Sequence, residues 1–169
     1  MRIIYLHQYF VLPSQPGGTR SYEMARRLAS FGHQVHMVTS DHASAPGRSP
    51  RWEEREEAGI HVHRYPVPYS NAMSYSQRIR AFLQYASRSA LRAAQLPGDV
   101  VFATSTPLTI ALPGVYAARR QGIAMVFEVR DLWPDLPIAI GAITGRLPVT
   151  AARWLERFAY KNSAQIVAL

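Results

Sequence analysis

Two stretches hold residue types whose spacing could do chemistry. In "QPGGTRSYEM" (residues 15–24), two glycines and an arginine precede a helical pattern. Gly17 and Gly18 would stand before a helix N-terminus, where free amides and the helix dipole attract phosphate. The same pair also fits a turn that needs positive φ, so both readings stand. Arg20, in the first turn, faces the positive end of the dipole and gains nothing locally. Either an anionic ligand lies nearby or the side chain reaches solvent. In "FEVRDLWPD" (residues 127–135), Glu128, Arg130, Asp131 and Asp135 gather where an apolar run ends. A carboxylate there can accept a proton from a hydroxyl nucleophile or hold a sugar hydroxyl. Trp133 and Pro134 would wall such a site; the other reading is a structural Arg–Asp pair beside a packed tryptophan.

Several chemistries are excluded. The dinucleotide pattern G-x-G-x-x-G is absent, as is the phosphate loop ending in Gly-Lys-Ser/Thr, which argues against a nicotinamide enzyme and a P-loop ATPase. There is no G-x-S-x-G elbow and no cysteine, so neither hydrolase nucleophile nor disulfide is available. His61 and His63 share a strand face, but no third ligand has suitable spacing, and His33 and His36 belong to a turn and strand. The expectation is no metal site.

The elements that must position these residues alternate. Arg2 to Leu6 reads as a buried strand, Thr19 to Phe31 as a helix ended by Gly32, and Gln34 to Thr39 as a second strand. A strand–helix–strand opening predicts a parallel sheet with the helix on its face. Residues 41–59, rich in Ala, Pro, Ser and charge without apolar period, read as a mobile loop. Ile60 to Tyr65 alternates and reads as a strand. Ser76 to Leu96 reads as a long helix with Ile79, Phe82, Leu83, Ala86, Ala90 and Ala93 on its buried face. Asp99 to Ala103 is a strand. Ser105 or Thr106 before Pro107 reads as the cap of a helix running to Gln121. Ala124 to Val129 is a strand and "RDLWPDLP" a loop. Pro148 to Asn162 is a helix with Ala151, Trp154, Leu155, Phe158 and Ala159 inward, and Ala164 to Leu169 begins one more strand. The whole is an α/β fold, a three-layer Rossmann-like domain with a mostly parallel sheet, spanning 1–169. In such sheets ligands bind beyond the carboxyl ends of the strands. Three loops converge there: His7 to Gly18, Thr104 to Thr106, and Arg130 to Asp135. Within them His7, Thr104, Ser105 and Thr106 join the substrate-binding candidates Gly17, Gly18, Arg20, Glu128 and Asp135.

The chain of 169 residues carries a net charge of +8, and all but one of its basic residues are arginine. Residues 41–59 net −2, which leaves +10 elsewhere. Codon bias explains an arginine excess; so does phosphate recognition, since a guanidinium grips phosphate oxygens in pairs. Arg78, Arg80, Arg88 and Arg92, with Tyr75 and Tyr85, could rest on an acidic lipid surface or form a solvated face. The longest apolar runs are strand-length, so no membrane span is expected. "MRIIYLHQ" turns polar too soon for a secretory signal, which fits the cytoplasm. A nucleic-acid-binding module competes on charge alone, but the aromatic residues fall on apolar stripes rather than between basic residues; no nucleic-acid partner is expected.

The segments "HQYFVLPSQPGGTRSYEMARRLASFGHQVHMVTS", "FEVRDLWPD" and "LERFAYKNSAQIVAL" resemble the N-terminal half of family-4 glycosyltransferases of the GT-B fold. The branch most alike builds bacterial capsule, O-antigen and exopolysaccharide chains and includes fucosamine-type transferases. The resemblance implies an acceptor-binding Rossmann-like domain of a retaining enzyme that needs no metal or cofactor. The donor substrate is a nucleotide-sugar, shared with a C-terminal domain absent from this chain, and the acceptor a lipid-linked glycan. By position, Gly17 and Gly18 would let the loop approach the donor diphosphate. Arg130 and Asp131 align with a frequent His–Asp pair and become the catalytic candidates, with arginine where histidine is common. The family's E-x7-E stretch is missing here, so the expectation is an acceptor domain inactive alone, peripheral on the inner face of a bacterial plasma membrane. The alternative is a non-catalytic partner subunit of a split glycosyltransferase.

Overall fold

The computed structural model describes residues 1–41, 49–70 and 72–168, and the side chain of Tyr75 is outside that set. Seven strands form one sheet in the order β3-β4-β2-β1-β5-β6-β7. They are β1 (Arg2–Leu6), β2 (Gln34–Asp41), β3 (Glu53–Glu57), β4 (Ile60–Pro66), β5 (Val100–Thr104), β6 (Ala124–Val129) and β7 (Gln165–Ala168). Every neighbouring pair is parallel except β3 with β4. The helices are α1 (Arg20–Ser30), α2 (Tyr75–Gln95), α3 (Ala111–Gln121), α4 (Asp135–Ala139) and α5 (Arg146–Lys161).

Side-chain alternation along the central strands builds two cores. Ile3 and Tyr5 of β1 join Val35, Met37, Ile60, Val62 and Phe102, with Ala25 of α1 among them. Ile4 and Leu6 point the other way and join Val38, Val101, Ala103 and Phe127 beneath Ala93 of α2 and Val115 and Ala118 of α3. Because both faces are covered, β2 is buried from Val35 to Ser40, histidine included. Burying these apolar side chains stabilises the fold by roughly 1.5–3 kcal/mol each before chain entropy is counted. Gly122, at φ 67, closes α3 in the left-handed conformation a residue with Cβ resists.

Five expectations need correction. Glu53–Glu57, expected inside a loop, is strand β3, turned onto β4 through Ala58 (φ 53) and Gly59 (φ 78). Two successive positive φ values are those of the two-residue type I′ turn that suits antiparallel strands. The strand has no apolar side because it is an edge: backbone bonding holds it while its charges stay in water and deter further pairing. The rest of the loop reading, at 42–48, lies outside the described residues. On α2, the fully buried positions are Ala81, Tyr85, Ala86, Ser89 and Ala93, whereas Ile79 and Leu83 are exposed. The helix is rotated because the Tyr85 hydroxyl donates to Val38 O at 2.8 Å in the core. A Ser74–Gln77 capping box starts it. After β5 no side chain caps a helix: Leu108–Ile110 form a 3-10 turn, and α3 begins at Ala111. The "RDLWPDLP" loop contains the start of α4. Finally, Ala151 and Trp154 of α5 are exposed rather than inward.

Candidate functional site

The carboxyl ends of β1, β5 and β6 place His7, Thr104 and Glu128 side by side, because β1 pairs with β5 and β5 with β6, Thr104 opposite Glu128. Glu128 is 1% exposed, so a carboxylate there must be fully partnered. One oxygen accepts from Arg20 Nε at 3.2 Å and Nη2 at 2.8 Å, and the other from Thr104 Oγ1 at 3.0 Å. Arg20 therefore neither waits for an anion alone nor merely reaches solvent: it is anchored by Glu128 across the sheet end. Its side chain is 45% exposed, which leaves its outer edge open. With both oxygens engaged and no solvent access, Glu128 positions Arg20 and is not available as a base for a substrate hydroxyl.

His7 is the second centre. Arg130 Nη1 stands 3.4 Å from His7 Nε2, and Ser21 Oγ lies 2.8 Å from Nδ1. A guanidinium can only donate, so Nε2 accepts and the ring hydrogen sits on Nδ1, facing Ser21. Burial, then the nearby Arg130 charge, lowers the His7 pKa from 6.5 to about 3. The imidazole is neutral at every ordinary pH. Tyr5, beneath it, is raised above its ordinary value by burial first, with Thr104 and Ser21 as hydrogen-bond partners, and its hydroxyl is 3.4 Å from Thr104 Oγ1. Polar contacts thus run unbroken from Arg130 through His7, Ser21, Tyr5, Thr104 and Glu128 to Arg20. Such a network is rigid when satisfied throughout.

A third set of contacts ties the loops after β5 and β6 together. The Arg130 amide donates to Ser105 Oγ at 2.9 Å, and the Ser105 amide to Glu128 O at 2.8 Å. Thr106 Oγ1 donates to Asp131 Oδ2 at 2.7 Å. Thr106 has φ 99, a conformation that costs a β-branched residue of order 1–3 kcal/mol and concentrates at functional sites. Asp131 and Asp135 are both exposed; Asp131 is held at the carboxyl ends of β5 and β6 by Thr106, while Asp135 begins α4 and lies 4.0 Å from Arg153. The two glycines differ. Gly17 has φ 134 and a Cβ there would come within 3.2 Å of Val11; Gly18 faces open space. The turn reading holds at Gly17, and close approach is open only at Gly18. An open groove of about 370 Å³ runs along α1 from Arg20 to Phe31; it shares only Arg20 with this site.

The four α2 arginines are not gathered on one outward face. Arg92 donates to Glu54 and stands 3.0 Å from His63 Nδ1, and Arg88 lies over the Tyr65 ring at 5.5 Å. Arg78 donates to Met73 O, while Arg80 is exposed. Tyr85 is buried, and the side chain of Tyr75 lies outside the described residues. Sequence reasoning also missed a histidine stack: the β2–β4 register sets His36 opposite His61, and His36 Nδ1 lies 3.1 Å from His63 Nε2. Burial first, then Arg92, lowers the His63 pKa to about 4. Among the described residues no cluster of three or more His, Asp or Glu could hold a metal ion. Ser21 and Tyr5 were missed too; the one signal was a serine on the Ala25–Leu28 stripe of α1.

Residues 17–169 match the family described as glycosyl transferase 4-like domain. No curated protein matches. Among solved structures, sucrose-phosphate synthase from Thermosynechococcus elongatus superposes with a TM-score of 0.65 at 10% identity, over 98% of this chain and 41% of that one. The chain thus spans under half of that protein's length. The likeness identifies the architecture: the N-terminal Rossmann-like half of a GT-B glycosyltransferase.

Proposed function

This chain belongs to the glycosyl transferase 4-like domain family, and from that premise we propose that it is the acceptor-binding half of a retaining, metal-independent glycosyltransferase. The donor would be a nucleotide-sugar, held jointly with a second domain. The acceptor would be a lipid-linked glycan in bacterial surface polysaccharide synthesis, reached from the cytoplasmic side. The observation that carries the reading is the pair of guanidiniums at the sheet's carboxyl edge. The Arg20 guanidinium is fixed by Glu128; Arg130 is held through its backbone amide by Ser105, and its guanidinium stands against the neutral His7 imidazole.

In this reading the two arginines stabilise negative charge on a diphosphate, donor or acceptor, without rearranging when it arrives. Asp131, presented by Thr106, accepts a hydrogen bond from a sugar hydroxyl. His7 stays neutral and holds the Arg130 fork in place. Gly18 leaves room for the ligand to approach the backbone.

The test uses the full-length protein, bacterial membranes and a panel of UDP-, GDP- and dTDP-sugars, with mass spectrometry of the lipid fraction. Transfer from one donor is the expected result. Absence of both transfer and nucleotide release would instead support a non-catalytic partner subunit. Arg20→Ala should lose transfer while retaining the fold; unchanged transfer by that variant would refute the arginine pair.

A further inference from the structure

The polar chain between Arg130 and Glu128 has one order of hydrogens that satisfies every group, and its two ends fix that order. A guanidinium only donates, so Arg130 requires a bare Nε2 on His7, at 3.4 Å, and the ring hydrogen lies on Nδ1 against Ser21 Oγ at 2.8 Å. A carboxylate only accepts, so the Thr104 hydroxyl gives its hydrogen to Glu128 Oε2 at 3.0 Å. Thr104 Oγ1 is then the acceptor for the Tyr5 hydroxyl at 3.4 Å. The other acceptor near that hydroxyl, Met24 Sδ at 3.7 Å, is a weak thioether. Ser21, having accepted from His7, turns its own hydrogen to its partner Tyr5. Each hydroxyl thus accepts once and donates once, and all the hydrogens point from Arg130 toward Glu128. Water cannot reset the order, because His7, Ser21, Tyr5, Thr104 and Glu128 are each at most 2% exposed.

We propose that Ser21 and Tyr5 are positioning residues of this site: with Thr104 they carry the direction imposed by Glu128 to the His7 tautomer, and through that tautomer they hold the Arg130 guanidinium. The inference rests on the reading of Arg20 and Arg130 as a diphosphate-binding pair, and makes that pair one unit rather than two separate cations. Glu128 serves both ends: one oxygen anchors Arg20 and the other orders the chain that reaches Arg130. In the reversed order His7 would carry its hydrogen on Nε2, against the Arg130 N–H, and the guanidinium would lose its acceptor. Consecutive hydrogen bonds polarise one another in a dry interior, so breaking a link remote from Arg130 still loosens its hold. The Tyr5 ring packs edge-on against Phe102, with centroids 4.9 Å apart. Tyr5→Phe keeps that packing and removes only the link.

Nuclear magnetic resonance of the full-length protein, with isotope-labelled histidine, reads the tautomer directly, and the signals lost in His7→Gln assign it. The parent should carry its ring hydrogen on Nδ1. Tyr5→Phe should raise the share of Nε2–H. So should Thr104→Val, although the Thr104 hydroxyl bonds Tyr5 and Glu128 rather than His7. Tyr85→Phe removes a buried tyrosine hydroxyl outside the chain and should leave the His7 signals where they are. Calorimetry with inorganic diphosphate should show binding weakened about fivefold to tenfold in Tyr5→Phe, the loss of about one hydrogen bond to a charged group, and parent affinity in Tyr85→Phe. An Nε2–H imidazole in the parent, or His7 signals unmoved by Thr104→Val, would overturn the proposal. Where the parent binds diphosphate, unchanged affinity in Tyr5→Phe would overturn it as well. A parent that shows both tautomer responses but takes up no diphosphate would uphold the ordered chain and remove only the reading of function.

Discussion

His7 makes the stability of this fold depend on pH, and Arg130 is part of the reason. In the unfolded chain an imidazole binds its proton near 6.5; folded, burial and Arg130 hold His7 at about 3. Between those values the unfolded chain carries the extra proton, so stability rises with pH across that window. The contribution is whole above 6.5 and is lost progressively as pH falls toward 3. Each pH unit inside the window is worth about 1.4 kcal/mol per group. At about pH 5 the loss through His7 alone is therefore about 2 kcal/mol. His63, depressed to about 4, adds a slope of the same sign until its own native value is reached. His7→Gln keeps a hydrogen-bonding side chain and removes the titration. Urea unfolding, followed by circular dichroism at several pH values from about 7.5 to about 5, should show a variant whose stability falls by about 2 kcal/mol less than the parent's over that range. The absolute stability of the variant is irrelevant; the slope decides. Parallel pH profiles for parent and variant would refute the buried neutral imidazole and, with it, the tautomer that orients Arg130.

Three further outcomes follow from the same geometry. Arg20→Ala leaves the buried Glu128 carboxylate with Thr104 alone and should cost about 2 kcal/mol, below the roughly 3–5 of a fully buried pair because Arg20 is half exposed; adding Glu128→Gln should recover part of that loss in a urea double-mutant cycle. Gly17→Ala should destabilise by about 1–2 kcal/mol, from its positive φ and the Val11 contact, whereas Gly18→Ala should stay within about 0.5 kcal/mol, as compared by thermal melts; a bulkier residue at Gly18 should then abolish transfer without unfolding the chain. Tyr85→Phe removes a buried hydroxyl that donates to Val38 O and should cost about 1–2 kcal/mol in urea unfolding, with no change of fold by circular dichroism.

The helices and parallel strands were legible because their signals are local. The Ala25–Leu28 stripe, Gly32 and Gly122 as stops, and the apolar strands all report periods or backbone needs within a few residues. The convergence of the three loops was legible for a topological reason: a parallel sheet brings all its carboxyl ends to one edge. What was not legible depends on neighbours remote in sequence. β3 carries no apolar residue on which a strand reading could rest, and forms because β4 offers it an unpaired backbone edge. The rotation of α2 follows from the Tyr85 hydroxyl finding Val38 O, a contact across 47 residues. Ala151 and Trp154 have the spacing of a buried stripe, but no described element covers them.

Residue types and order alone therefore determined the α/β class, the glycine-led loop before α1 and the polar cluster after β6. The tertiary structure decided which of those polar groups a ligand can meet. Glu128 and Arg20 are 108 residues apart, and nothing local shows that one neutralises the other. His7 looks like any histidine following a strand until burial and Arg130 fix its charge. Periodicity sets which way a side chain points from its own element. Charge state, accessibility and hydrogen-bond partner are set by whatever the fold brings against it.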